Sequence, residues 1–317
     1  MSFVDLYKRG GNQAVKINPP TGTDFHITSR GSDIHWAFFC VMTFFTIILV
    51  VLMFRKAAND RLVYYTAIAP CAFSAIAYFT MASNLGWAPV KAKYTHVHVD
   101  NQSAHLGIRQ IFYARYIGWF MALPWPVIQA SLMGNTPILQ IAFNVAMTEI
   151  FTVGFLVAAV VHSTYKWGYM TIGCAGAIVT WISVMTTTRH LVKARGDSEL
   201  WKAFNGFFGL TMFIWGVYPI CFGLSDGGNV LQPDSAFIFY GILDLIVLCF
   251  IPCLWVPISG YIGLENMGFK KEEAFPGGMA QAPTMTSMAK SPSMAKSPTM
   301  SPSPTPKVGK KAKKSKK

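Results

Sequence analysis

Seven long apolar runs, separated by short polar connections, dominate the chain: 36–54, 62–81, 108–133, 138–161, 167–185, 203–224 and 237–258. Each approaches or exceeds the roughly 20 residues that carry a helix across hydrocarbon. Backbone amides in lipid must be bonded within their own segment, so the pattern predicts seven transmembrane helices. The first 33 residues hold Asp5, Lys8, Arg9, Lys16, Asp24, Arg30 and Asp33 and no apolar stretch. No cleavable signal peptide is therefore expected, and the first helix itself directs insertion.

Composition agrees with the pattern. The 317 residues would suffice for two soluble domains, yet 52% are hydrophobic and only 13% charged, with the charges segregated. Lysine and arginine orient the spans: Arg55, Lys56 and Arg61 flank the first connection, and Arg189, Lys193, Arg195 and Lys202 the fifth. Both connections face the cytosol under the positive-inside rule, which puts the N-terminus outside and the C-terminus inside. The net charge of +13 is then mostly a property of the tail and not a nucleic-acid footprint.

Three regions follow: an extracellular segment 1–33, a seven-helix domain 34–260, and a cytosolic tail 261–317. Beyond Lys270 the tail is rich in Pro, Ser, Thr, Met and Lys, and Ser-Met-Ala-Lys-Ser-Pro occurs twice. Such a composition has too little to bury and is expected to be disordered. Ser291, Ser297, Ser301, Ser303 and Thr305 each precede proline and are candidate phosphorylation sites, upstream of a closing lysine cluster. That cluster would be drawn to anionic inner-leaflet lipid, and added phosphates would oppose the attraction; a merely solubilising tail is the alternative. The long connection 84–106 contains Thr95-His-Val-His-Val-Asp100, whose alternation predicts a short strand or hairpin with His96, His98 and Asp100 on one face. A plain solvated strand is the main reading, with metal or proton sensing as the alternative. Asn101-Gln-Ser103 fits a glycosylation acceptor on that side.

The six cysteines, Cys40, Cys71, Cys174, Cys221, Cys249 and Cys253, all fall in apolar runs without metal-ligand spacing, so they read as small hydrophobes and no metal site is predicted. Cys249 and Cys253 share one helix face.

Charges inside the runs are costly, about 2.5–3.5 kcal/mol or more near the bilayer centre. Those well inside are Arg115, Glu149 and Asp244. Arg115 and Asp244 each lie about seven residues in from the outer end, roughly 10 Å deep at 1.5 Å per residue. Equal depth and opposite sign predict an ion pair across the bundle, direct or through water. Glu149, near mid-membrane, is either a proton site or a neutral acid bonded to a neighbouring helix. Tyr116, Trp119, Trp215, Tyr218 and Phe222 concentrate in the third and sixth runs. The last three share a face and would wall a central pocket or simply pack together. Pro124, Pro126, Pro219 and Pro252 mark expected kinks.

These residues resemble the microbial rhodopsins over 30–260. The third run, Ala114-Arg-Tyr-Ile-Gly118-Trp-Phe-Met-Ala122-Leu-Pro124, is similar to the bacteriorhodopsin segment that carries an arginine, the proton acceptor and a retinal-contacting tryptophan. By that match Arg115, Tyr116, Trp119 and Pro124 are kept, the acceptor aspartate falls on Gly118, and the donor carboxylate falls on Gln129. The sixth run keeps Trp-x-x-Tyr-Pro as Trp215, Tyr218 and Pro219, with Phe222 where a second tryptophan is usual. In the seventh, Asp244 matches the counterion aspartate and Leu248 stands at the position of the retinal-bearing lysine. No lysine occurs between Lys202 and Lys270. Leucine cannot form a Schiff base, so no retinal attachment and no cofactor is expected.

A closer resemblance is to the fungal opsin-related proteins of the plasma-membrane heat-shock type. It rests on 17–33, Ala77-Tyr-Phe-Thr-Met-Ala-Ser-Asn-Leu-Gly-Trp87, His162-Ser-Thr-Tyr-Lys-Trp-Gly-Tyr169 and 226–234. The resemblance implies an all-α seven-helix bundle of microbial rhodopsin type in the plasma membrane, without retinal. It also implies association with heat, acid or membrane stress and sometimes a chaperone-like role. Three functions stay open: a stress-associated protein acting through lipid and other plasma-membrane proteins, a light-independent ion or proton channel or transporter, and a receptor for a small apolar ligand. Light-driven pumping lacks its amine and both carboxylates. An enzyme is not expected, since no nucleophile, metal cluster or phosphate loop is visible.

Overall fold

A computed structural model describes residues 11–94, 107–263 and 267. Six helices are long and apolar enough to cross a membrane unaided, and the remaining span is built from two shorter ones. The first span, Ser29–Phe54, begins where Thr28 turns extended and its side chain accepts from the Arg30 amide, satisfying one of the donors a helix start leaves free. It thus starts before the boundary at 34 read from the sequence. The second is Leu62–Ala82. The third runs from Tyr113–Ala122 into Pro124–Gly134. Pro124 has no amide to donate, so the helix is interrupted there, but Leu123 stays helical (φ −65°, ψ −28°) and the direction is kept. Asn135, left-handed at φ 49°, ends this span.

Ile138–Val160 forms the fourth span. The fifth consists of Lys166–Ser183, a π-type turn Val184–Thr188, and Arg189–Ala194. The sixth, Ser198–Phe222, is capped by Asp197, which accepts from the Glu199 and Leu200 amides, and ends in a π-type turn Gly223–Gly227. The seventh joins Pro233–Asp244, a π-type turn Leu245–Phe250, and Ile251–Ile262, with Pro252 just after the turn. Each span packs on its neighbour in sequence, and the seventh closes the ring against the first and second. Large apolar side chains such as Phe44, Ile47, Phe213 and Leu254 stay exposed on the outside, as a lipid-facing surface requires.

The fourth and fifth spans meet through glycines. A Cβ on Gly154 would come 2.8 Å from the Gly173 Cα, and one on Gly176 would come 2.6 Å from the Met147 carbonyl oxygen. In lipid, small residues are what let two helix backbones approach this closely. Gly176→Leu is accordingly expected to cost about 1–3 kcal/mol by overpacking, seen as a lowered melting temperature in detergent.

One end of the bundle is closed by a hairpin. Strand β1 (Ala88–Lys91) pairs antiparallel with β2 (Ile108–Ile111), Ala88 opposite Ile111 and Lys91 opposite Ile108. Phe25 adds a parallel bridge at Arg109. This hairpin, formed by residues on either side of 95–106, is not the strand or hairpin expected within Thr95–Asp100. His96, His98, Asp100 and Asn101 lie outside the described residues, as do Ser291, Ser297, Ser301, Ser303, Thr305 and the lysine cluster. β2 also takes the first four residues assigned by hydropathy to the third span. Arg115 is thus only the third residue of its helix.

Candidate functional site

Asp226 sits in the π-type turn that ends the sixth span, buried at the hairpin end. Its carboxylate accepts from the Tyr116 hydroxyl at 2.7 Å and from Arg115 Nη1 at 3.4 Å, while Arg109 Nε lies 3.6 Å from its other oxygen. The Arg115 guanidinium rests on the faces of Tyr240 and Phe237, 4.1 and 4.7 Å from the ring centres, so aromatic quadrupoles share in holding its charge. Arg109 reaches across to the Leu231 carbonyl at 3.0 Å and to Asn229 Oδ1, joining the hairpin to the loop before the seventh span. Burial pulls the Arg109 guanidinium below its usual pKa, and the charge of Asp226 opposes the shift. Lys166, also buried, donates to the carbonyls of Asp226 and Gly227 at 3.0 and 3.2 Å.

The expected Arg115–Asp244 ion pair is replaced by this arrangement. Arg115 stands near the start of its helix, level with the turn that bears Asp226, whereas Asp244 is level with Trp119, one helical turn further in. Asp244 is instead held by three neutral donors from three spans: Tyr78 at 2.6 Å, Trp119 Nε1 at 2.8 Å and Tyr218 at 2.7 Å. The second, third, sixth and seventh spans are thereby tied at one carboxylate. Paired acceptors for every buried donor are what a low-dielectric interior demands.

One turn beyond Asp244, Leu248 is buried. Its side chain offers no nitrogen, and the space it shares with Tyr78, Gly118 and Trp119 does not admit a water-sized sphere. The predicted aromatics come together and pack on one another in the centre of the bundle. Trp119 packs edge-on against Tyr116, Tyr218 and Tyr240, Trp215 stacks on Phe151, and Phe222 meets Phe155. Gly118, at the expected acceptor position, is needed for packing: a Cβ there would come 2.6 Å from that of Ala77. Gln129, at the expected donor position, is buried and donates weakly to Thr66 at 3.4 Å. These residues do not fit a retinal held as a Schiff base, and no step is assigned to one.

Glu149 is half-buried on the fourth span and accepts from Thr152 at 3.0 Å on its own helix, not from a neighbouring one. Glutamine can accept the same bond, so Glu149→Gln is expected to change stability by no more than about 0.5 kcal/mol, measured by thermal unfolding in detergent.

Hydropathy alone did not single out Asp226, Arg109, Lys166 or Tyr78. Asp226 lies among glycines that read as loop, and Lys166 and Arg109 border apolar runs where charges are ordinary. Spacing along the chain also hides that the fold brings the sulfur atoms of Cys71, Cys249 and Cys253 within 4.8 Å of one another.

Residues 31–248 match the model of the bacteriorhodopsin-like protein family. Protein YRO2 of Saccharomyces cerevisiae is 63% identical over 86% of this chain and 79% of its own length. The 30 kDa heat shock protein of the same yeast is 39% identical, over 76% of each chain. Among solved structures, the light-driven proton pump Coccomyxa subellipsoidea rhodopsin CsR superposes with a TM-score of 0.67 at 26% identity, covering 74% of this chain and 99% of its own. With seven spans closed in a ring and a family match from the first span into the seventh, the chain belongs to the bacteriorhodopsin-like family, as a multi-pass membrane protein related to the fungal opsin-like and heat-shock members.

Proposed function

We propose that this chain is a non-photoactive, opsin-related protein of the plasma membrane that acts under stress by supporting the membrane or its resident proteins, without retinal and without moving ions. The observation that carries the reading is the Asp244 lock. A carboxylate bonded to Tyr78, Trp119 and Tyr218, beside a space that does not admit a water-sized sphere, is poorly placed to relay protons, and Leu248 one turn further along supplies no amine. The name of the 30 kDa heat shock protein relative favours the stress association.

In the proposed topology the hairpin end is external. Arg55, Lys56 and Arg61 follow the first span, and Arg189, Lys193 and Arg195 close the fifth; both spans start at the hairpin end, and the positive-inside rule supports reading the opposite, basic end as cytosolic. The tail lysines would then meet anionic inner-leaflet lipid.

The test compares cells with and without the chain after heat or acid shock, following survival and the plasma-membrane proteins that co-purify with it. Lower survival in its absence and a stoichiometric membrane-protein partner are expected. Equal survival with no partner would overturn the reading.

A further inference from the structure

Three thiols converge where the second and seventh spans pack. Cys249 and Cys253 are one helical turn apart and share a face, which meets Cys71 on the second span. The three sulfur atoms lie within 4.8 Å of one another, with Cys71 and Cys249 fully buried and Cys253 partly so. The Cys71 thiol is oriented by a 3.3 Å hydrogen bond to the Leu248 carbonyl. Leu248 and Cys249 both belong to the π-type turn Leu245–Phe250, a distortion of the kind that often marks functional positions in helices. A single buried cysteine needs no explanation beyond packing. Three whose sulfurs converge from two spans form a ligand set.

We propose that Cys71, Cys249 and Cys253 bind one soft thiophilic ion, Cu(I). Three sulfurs with no carboxylate or histidine in the cluster exclude the hard cations, which require oxygen. Zn(II) completes a tetrahedron with a fourth ligand, and the cluster supplies three. The thiolate and not the thiol is the ligand, so each cysteine that binds the ion breaks its S–H bond and forms a Cu–S bond; one proton is released per thiolate formed, with no change in oxidation state.

The site is independent of the stress role proposed above, and its test is a binding experiment. Full-length protein, purified in detergent and kept reduced, is titrated anaerobically with Cu(I) against a chromophoric Cu(I) chelator. One equivalent should be retained, with an ultraviolet sulfur-to-copper absorption and protection of Cys253 from alkylation. Cys71→Ser and Cys253→Ser should each weaken retention by roughly tenfold or more, at least what loss of a mere outer-shell contact costs. Cys40→Ser and Cys174→Ser should leave it unchanged. Helical circular dichroism and melting of the ion-free variants separate loss of a ligand from loss of fold. Failure to retain Cu(I), equal retention by a folded Cys71→Ser protein, or equally tight Zn(II) binding would overturn the proposal.

Discussion

Asp226→Ala is expected to destabilise the protein by about 3–5 kcal/mol, the usual cost of removing one partner from a buried ion pair. The substitution leaves Arg109 and Arg115 buried with no carboxylate within salt-bridge distance among the described residues. It also deprives the Tyr116 hydroxyl of its acceptor. Lys166 would keep its two backbone carbonyls, so the fifth span should stay docked while the hairpin loosens. Asp226→Asn should show most of the loss, since it keeps an acceptor for Tyr116 but no charge. Adding Arg115→Gln to Asp226→Asn should recover part of it, because the stranded cation is then gone. Thermal unfolding in detergent measures the series. An Asp226→Ala protein as stable as the parent would show that the cluster does not hold the hairpin end together.

The second large effect is at Asp244. Asp244→Leu removes the acceptor of three buried donors at once, Tyr78, Trp119 and Tyr218. A buried donor left unsatisfied costs about 1–3 kcal/mol, so several kcal/mol are at stake, lessened by whatever repacking the leucine permits. Asp244→Asn keeps one carbonyl oxygen and should cost clearly less. Tyr78→Phe, which deletes a single donor while leaving two in place, should fall at about 1 kcal/mol. The ordering of Leu, Asn and parent by melting temperature checks the account. A leucine variant indistinguishable from the parent would mean that the three bonds are not holding the four spans.

Hydropathy located all seven spans because lipid enforces length and apolarity on each independently. The hairpin end was harder to read. Residues 108–111 are apolar enough to extend the third run, and only their pairing with 88–91 turns them into a strand. That shift moved Arg115 to the helix start and undid the depth argument for its pairing with Asp244. Asp226 was hidden for a related reason: a carboxylate between serine and glycine after an apolar run looks solvated until the turn folds it inward. That Leu248 offers no amine was legible from the residue itself. That Gly118 serves packing against Ala77 was not, since it depends on the distance between two helices. The cysteine triad likewise joins residues far apart in the chain.

On the function proposed above, the buried charges hold the bundle together and move no ions. Proton flux tests this in liposomes containing the purified full-length chain, in darkness and under illumination, with and without added retinal, across a range of pH and voltage. Flux equal to that of empty liposomes in every condition is predicted. A flux that exceeds that background and disappears in Asp244→Asn would contradict it.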